Sequence, residues 1–186
     1  MMRKDFFPIY STRLTLRRFQ DNDLLAFVSY RSDPEVARYQ SWSAYNEDKA
    51  RDFIRDQQHA QFGVPGEWFQ IAIAQKQTDA LLGDIGVCIK GDDPTSAEIG
   101  FTLSQENQGK GLASEAVRVV LAIIFEETGV ERIEAITDSR NVASIELLRR
   151  LGLRQEKTEQ AWFKGSLCSE HTFVIRKKDW LSRKID

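Results

Sequence analysis

Apolar positions change their period several times along the chain. From Ser11 to Phe19, Leu14 and Leu16 alternate with Arg13 and Arg17, the two-residue period of a half-buried strand. Asp21 and Asp23 then precede Leu24, Leu25, Phe27 and Val28, whose spacing predicts a helix with one apolar side. Asp33-Pro34 reads as a break followed by a short helical start, because proline fits a first turn. Asn46 to Gln61 is polar with sparse apolar positions, a surface helix ending near Gly63, and Pro65-Gly66 marks a turn. Trp68 to Ala74, Leu81 to Ile89 and Ala97 to Leu103 read as three successive strands, separated by a turn from Gln75 to Asp79 and a loop at Gly91 to Pro94. In the third strand Ala97, Ile99, Phe101 and Leu103 share one face, opposite Glu98, Gly100 and Thr102.

Beyond Gly111 the period lengthens. Ala113 to Phe125 is apolar except for Ser114, Glu115 and Arg118, and is too long for a typical strand. It predicts a helix buried on most sides and stopped by Gly129. Glu131 to Thr137 returns to a strand. Val142 to Leu151 predicts a second helix that buries Val142, Ile145, Leu148 and Leu151, with Gly152 as its C-cap. Phe173 to Ile175 lies in the last strand, ahead of a charged tail from Arg176 to Asp186. Strand-helix-strand alternation in the second half implies parallel strands, on a sheet whose other part is antiparallel. The expected class is therefore α/β with a mixed sheet, in one domain over residues 1–186, since this length suits a single core and no repeat or linker interrupts it.

Composition narrows the function. Lys plus Arg number 26 against 28 Asp plus Glu, a balance of −2 that does not suggest a nucleic-acid partner held by phosphate contacts. Cys88 and Cys168 form no C-x-x-C pair, which reads as two free thiols in a reducing compartment. Neither His59 nor His171 sits in a cluster with ligand spacing, so no metal is expected. The longest apolar run, Val119 to Phe125, falls far short of the roughly 20 residues that span a bilayer. The N-terminal stretch has no secretory core, and a cytoplasmic protein without a membrane partner is expected.

Chemistry concentrates at Gln108-Gly109-Lys110-Gly111-Leu112-Ala113, between a strand and the buried helix. Glycines let backbone approach a ligand, and the free N–H groups and dipole of a helix start favour an anion. Together they make a phosphate cradle. The same turn reads equally well as a tight strand-to-helix connection. A P-loop does not fit, because Gly109 and Gly111 are too close and Lys110 lies between them. Nor does a dinucleotide fingerprint, since Ser114 stands where its third glycine belongs.

Gln108-x-x-Gly111-x-Ala113 resembles the acyl-CoA pyrophosphate signature of the GCN-five-related N-acetyltransferases (GNAT). The wider stretch from Ala97 to Ala116 is similar to their RimJ/RimL-like branch, which acetylates ribosomal-protein N-termini. Further landmarks follow in the family's order: Thr12 to Arg17, Asn141-Val-Ala-Ser144-Ile, Leu151-Gly152-Leu153, Trp162 with Gly165, and Asp179-Trp180. The resemblance implies a mostly antiparallel, centrally splayed sheet flanked by helices, with acetyl-CoA as cosubstrate in the splay. Backbone groups of Phe101, Thr102 and Leu103 would pair with the pantetheine arm. N–H groups of Gln108, Gly109, Lys110, Gly111, Leu112 and Ala113 would hold the pyrophosphate, and Asn141 and Ser144 would point at the thioester.

It further implies direct transfer, in one ternary complex, to the primary amine of a protein N-terminus or a small molecule. Glu98, the carboxylate on the strand beside the cosubstrate, is the candidate proton acceptor. Ser144 is the candidate donor to the leaving thiolate, because Leu147 and Leu148 stand where many relatives carry a tyrosine. Plainer readings remain open: Asn141 as a helix N-cap, Ser144 as a first-turn polar residue, Glu98 as a solvated strand residue and Lys110 as a solvated lysine. Tyr39, Trp42, Tyr45, Trp68, Trp162 and Phe163 are candidate walls of the acceptor site, with Glu67, Glu159 and Glu170 as candidate attractors of a cation. Aminoglycosides and polyamines are alternative acceptors, and a non-catalytic acyl-CoA-binding module is the alternative function. A homodimer is also compatible with the resemblance.

Overall fold

The alternating segments become strands of a single sheet in a computed structural model, which describes residues 7–42 and 45–183. The first half holds β1 (Ile9–Tyr10), β2 (Leu14–Arg17), α1 (Leu24–Ser32), α2 (Pro34–Ala37), α3 (Glu47–His59), β3 (Trp68–Gln75) and β4 (Leu81–Ile89). The second half holds β5 (Ser96–Leu103), α4 (Leu112–Glu127), β6 (Arg132–Asp138), α5 (Val142–Leu151), β7 (Arg154–Phe163), β8 (Ser166–Arg176) and α6 (Lys177–Ser182). The strands lie in the order β1-β2-β3-β4-β5-β6-β8-β7. Among the described residues only the β5–β6 pair is parallel, because β7 and β8 form a hairpin whose second arm, not its first, joins β6. Among the described residues no helix is long and apolar enough to cross a membrane. The expectation about a secretory core rests partly on residues 1–6, and the charged tail ends in residues 184–186; these lie outside the described residues.

Alternate strand positions explain the layers. Leu14, Leu16, Ile71, Ile73, Ile85, Val87 and Ile99 form one apolar cluster with Ala116, Val117, Val120, Leu121, Ile124 and Phe125 of α4. Full burial of a Leu, Ile or Phe is worth roughly 1.5–3 kcal/mol, so this face anchors the fold. A smaller cluster collects Phe27, Tyr30, Val36, Ala50 and Ile54 from α1, α2 and α3 with Ala72 of β3. Because helices cover both faces, Arg17 is buried rather than exposed, and it is paired with Asp23 and Asp79, each at 2.7 Å.

Several expectations shift. Leu25 is 72% exposed, because α1 buries the stripe Phe27, Tyr30 and Arg31 instead. Val142 is 59% exposed in the first turn of α5, and Leu147 takes a buried place. Thr128, in extended conformation, rather than Gly129, ends α4. The charged tail contains α6, whose Trp180 is buried beside Phe125, with ring centroids 6.3 Å apart.

The feature that positions the site is a parting of strands. β5 and β6 pair only at Ser96↔Arg132, Ala97↔Ile133 and Glu98↔Glu134. Past Glu98 they diverge, and the second half of β5 has no strand neighbour on that side. Buried backbone N–H and C=O groups demand partners, so such an opening suits an extended ligand.

Candidate active site

The splay opens into a cleft of about 940 Å³. Its walls are Ile99 to Leu103, Ala135 to Thr137, most of the turn from Gln105 into the start of α4, one side of α5 as far as Arg150, and residues between Glu35 and Gln40 arching over the top. Phe101 and Leu103 turn their carbonyls away from β4: Phe101 O accepts from Gln40 Nε2 at 3.5 Å and Leu103 O from Gln108 Nε2 at 3.0 Å. Alternation along an antiparallel ladder directs the backbone groups of Thr102 toward β4, where it faces Asp84. By the same alternation Ile99, which sequence reasoning passed over, presents its backbone to the opening.

The glycine turn has the geometry of a cradle. Gly109 and Gly111 have φ of +72° and +75°, and Gly111 is the N-cap of the 16-residue α4. A Cβ at Gly109 would meet nothing within 4 Å, and at Gly111 only Arg13 Nη2 at 3.5 Å. Backbone conformation, not crowding, therefore calls for glycine there. The first N–H groups of α4 have no intrahelical partner and open beside Leu112, Ala113 and Ser114 on the cleft wall. Two members of the expected set behave differently. The Gln108 N–H donates to Gln105 O at 3.2 Å, and Lys110 does not line the cleft, its carbonyl accepting from Arg13 Nη1 at 2.9 Å.

Arg13 fixes this turn from a distance. Its Nε and its backbone N–H each donate to Glu115 at 2.7 Å, and Ser11 Oγ donates at 2.7 Å as well. Burial alone would raise the Glu115 pKa, but these bonds outweigh it and hold the carboxyl below its ordinary value.

Asn141 and Ser144 both line the cleft, and they touch: Asn141 Oδ1 caps α5 by accepting from the Ser144 N–H at 3.2 Å. Capping occupies the amide oxygen and leaves the amide NH₂ for other work. Glu98 sits at the closed end of the splay, outside the cleft lining, with Cys88 and Glu134 as its strand partners. It is half-buried. Desolvation first, and the charges of Glu134 and Glu170 next, raise its pKa against the opposing pull of Lys90. Glu134 goes the other way, because contacts with Lys90 and Arg132 outweigh its burial. Of the two neighbours, Glu98 is thus the carboxyl with heightened proton affinity.

The acceptor candidates separate. Tyr39 lines the cleft and its hydroxyl donates to Arg140 O at 3.5 Å, bridging the opening. Trp42 and Tyr45 instead box the buried Arg31, whose Cζ lies 3.6 Å from the Trp42 ring centroid. Arg31 Nη2 binds Asp84 at 2.7 and 2.8 Å, and the Tyr30 hydroxyl donates to the same carboxylate. Trp162 is 77% exposed, and Glu159 is paired with Lys157 at 2.6 Å. Arg38, Gln40, Arg140 and Arg150 line the cleft without having been singled out. Arg38 and Gln40 flank Tyr39 in the bulky amphipathic stretch Ala37-Arg38-Tyr39-Gln40-Ser41-Trp42, a sequence feature that could have found them.

Residues 13–154 match the family described as Acetyltransferase (GNAT) domain. The N-acetyltransferase p20 of Bacillus licheniformis is 32% identical over 175 residues, covering 92% of this chain and 97% of that protein. The spermidine N-acetyltransferase from Vibrio cholerae, solved with CoA and spermine, has a TM-score of 0.77 at 19% identity, over 92% of this chain and 99% of that one. RimL, a ribosomal L7/L12 alpha-N-protein acetyltransferase solved with Coenzyme A, has a TM-score of 0.78 at 16% identity, over 92% and 98%. At these identities the two structural likenesses are likenesses of fold.

Proposed function

The chain belongs to the GNAT acetyltransferase family, and from that premise we propose that it carries acetyl from acetyl-CoA to a primary amine by direct attack in one ternary complex. The observation that carries this reading is the splay itself: β5 at Phe101 and Leu103, with no strand neighbour on that side, leads to a left-handed glycine turn at the start of α4. Such a site offers an extended strand edge for an amide-bearing arm and N–H groups for a pyrophosphate. Two fold neighbours, the spermidine enzyme and RimL, were solved in complex with CoA.

In this reading Glu98, which stands outside the cleft lining, accepts the proton of the incoming ammonium through water, which frees the nitrogen lone pair. The new C–N bond forms as the C–S bond breaks; Ser144 supplies a proton to the departing sulfur and is reprotonated by the second proton that the nitrogen sheds on becoming an amide. An α-amino group, pKa about 8, surrenders its proton more readily than a lysine at about 10.4, which favours an α-amine over a lysine side chain. Membership of the RimJ/RimL-like branch and a cytoplasmic setting belong to the same proposal.

The test is a pH series of kcat/KM for wild type and Glu98→Gln. Glu98 as base predicts a 10²- to 10⁴-fold loss in the variant, with acetyl-CoA affinity retained. A variant as active as wild type would remove Glu98 from the chemistry.

A further inference from the structure

A second pocket, of about 440 Å³, lies beside the cleft between the arch and the β7–β8 hairpin. Its walls are Arg38, Tyr39, Arg140, Phe163, Lys164 and Ser166. Arg38, Tyr39 and Arg140 line the cleft too, so the two cavities share a wall. Half of the lining residues are cations and none is a carboxylate.

Their charges are only partly engaged. Arg140 donates to Asp138 through Nε and Nη2 at 2.9 and 2.6 Å, and Arg38 reaches Glu35 at 3.4 Å on the surface. A guanidinium has five N–H groups, so both keep donors in reserve. Among the described residues no carboxylate pairs with Lys164. Its Nζ donates to Ala37 O at 2.7 Å, which leaves two of its three protons, and desolvation lowers its pKa.

Backbone conformation adds a second observation. Lys164 and Gly165 form the two-residue turn between the paired Phe163 and Ser166, with φ of +49° and +79°. Two positive φ values are what a tight primed hairpin turn requires, and its first position ordinarily goes to Asn, Asp or Gly. A lysine is disfavoured there by its own backbone, so the side chain it projects is the feature to explain.

We propose that this pocket binds a compact oxyanion, a carboxylate or a phosphate, carried by the acceptor, so that the acceptor is a primary amine that also bears an anionic group. The assignment rests on the acetyl-transfer reading above. Lys164, Arg38 and Arg140 hold the anion, the shared wall sets its distance from the reacting end of the cleft, and a polycationic acceptor meets repulsion at the same place.

The experiment uses matched amines that differ in one group: a carboxylate, the corresponding carboxamide, and a phosphate monoester. These are assayed with wild type, Lys164→Gln, Arg38→Gln and, as a surface control, Lys157→Gln. Inorganic phosphate is titrated calorimetrically into the same proteins in excess CoA, which fills the glycine-turn cradle. The proposal expects an anionic amine to have a KM at least tenfold below that of its carboxamide. It expects both pocket variants to erase that preference and to weaken phosphate at least fivefold, with Lys157→Gln like wild type. With CoA in excess, phosphate should compete with the acceptor. The better of the carboxylate and phosphate amines identifies the group. A preference for the carboxamide or a polyamine, or phosphate binding in excess CoA that is indifferent to both pocket variants, would overturn it. Lys164-dependent phosphate binding without turnover of any amine would sink the acetyl-transfer reading, and the acceptor assignment with it, while preserving the anion site. Turnover without phosphate binding would sink the anion site alone.

Discussion

The glycine-turn side of the cleft and its acceptor side are built by different means. On the first, what a ligand meets is backbone: φ values at Gly109 and Gly111, the open start of α4, and the free edge of β5. On the second it meets side chains brought together from remote positions. Lys164 reaches Ala37 across 127 residues, and Tyr39 reaches Arg140 across 101. A backbone device tolerates change in its neighbours as long as the turn is kept. A side-chain device depends on the whole fold to keep its parts in register, and the buried Arg31–Asp84 pair beneath the arch is part of that support.

The largest effect should come from that support. Asp84→Ala leaves the Arg31 guanidinium buried without its partner, and is expected to lower stability by about 3–5 kcal/mol in urea unfolding. If the loss were below about 1 kcal/mol, the acceptor side would not hang on this pair. Gly111→Ala should act on the other side, because an alanine at φ of +75° strains a turn whose conformation is the cradle. The strain of roughly 1–2 kcal/mol predicts about a tenfold weaker acetyl-CoA affinity by calorimetry, with little change in acceptor KM. Equal weakening of both substrates would erase the distinction between the two sides.

Legibility in the sequence followed the same division. Periodicity located β3, β4, β5, α4 and α5 within a few residues, and the order of glycines pointed to the turn, because both signals are local. The Asn141 cap was also local, and the structure adds that capping and cleft lining coincide in it. What stayed hidden depended on pairing between distant segments. Nothing around Trp42 in the sequence reveals that its ring stacks on Arg31, and nothing near Arg154 announces a β7 nearly all of whose residues are exposed. The insertion of β8 between β6 and β7 is likewise a tertiary choice, so alternation overstated the parallel part of the sheet.

Smaller effects sharpen the picture. Asn141→Ala removes the α5 cap and should cost about 1 kcal/mol of stability, along with some loss in kcat if its amide also orients the thioester end. A stability loss with unchanged kcat would reduce Asn141 to its cap. For Glu98, a raised pKa means that the acidic limb of the kcat/KM profile lies above the ordinary glutamate value of about 4.3. Lys90→Met removes a charge that lowers this pKa and should move the limb to still higher pH; a shift downward would contradict the assignment. Glu115 has the opposite sign. Its depressed pKa stabilises the fold above the ordinary carboxylate range, and that contribution fades as pH falls through the lower folded-state value. Glu115→Gln should therefore narrow the gap between urea midpoints measured at pH 7 and pH 4, by the smallest margin of the set.

The central claim is that the splay and the glycine turn present acetyl-CoA to an amine for direct transfer. Its most direct test is to measure thiol release over a matrix of acetyl-CoA and amine concentrations while counting acetylated product by mass spectrometry. The account predicts release that depends on the amine, one acetylated amine per thiol, and intersecting double-reciprocal lines. Release without an amine, parallel lines, or acetyl left on the protein would contradict it.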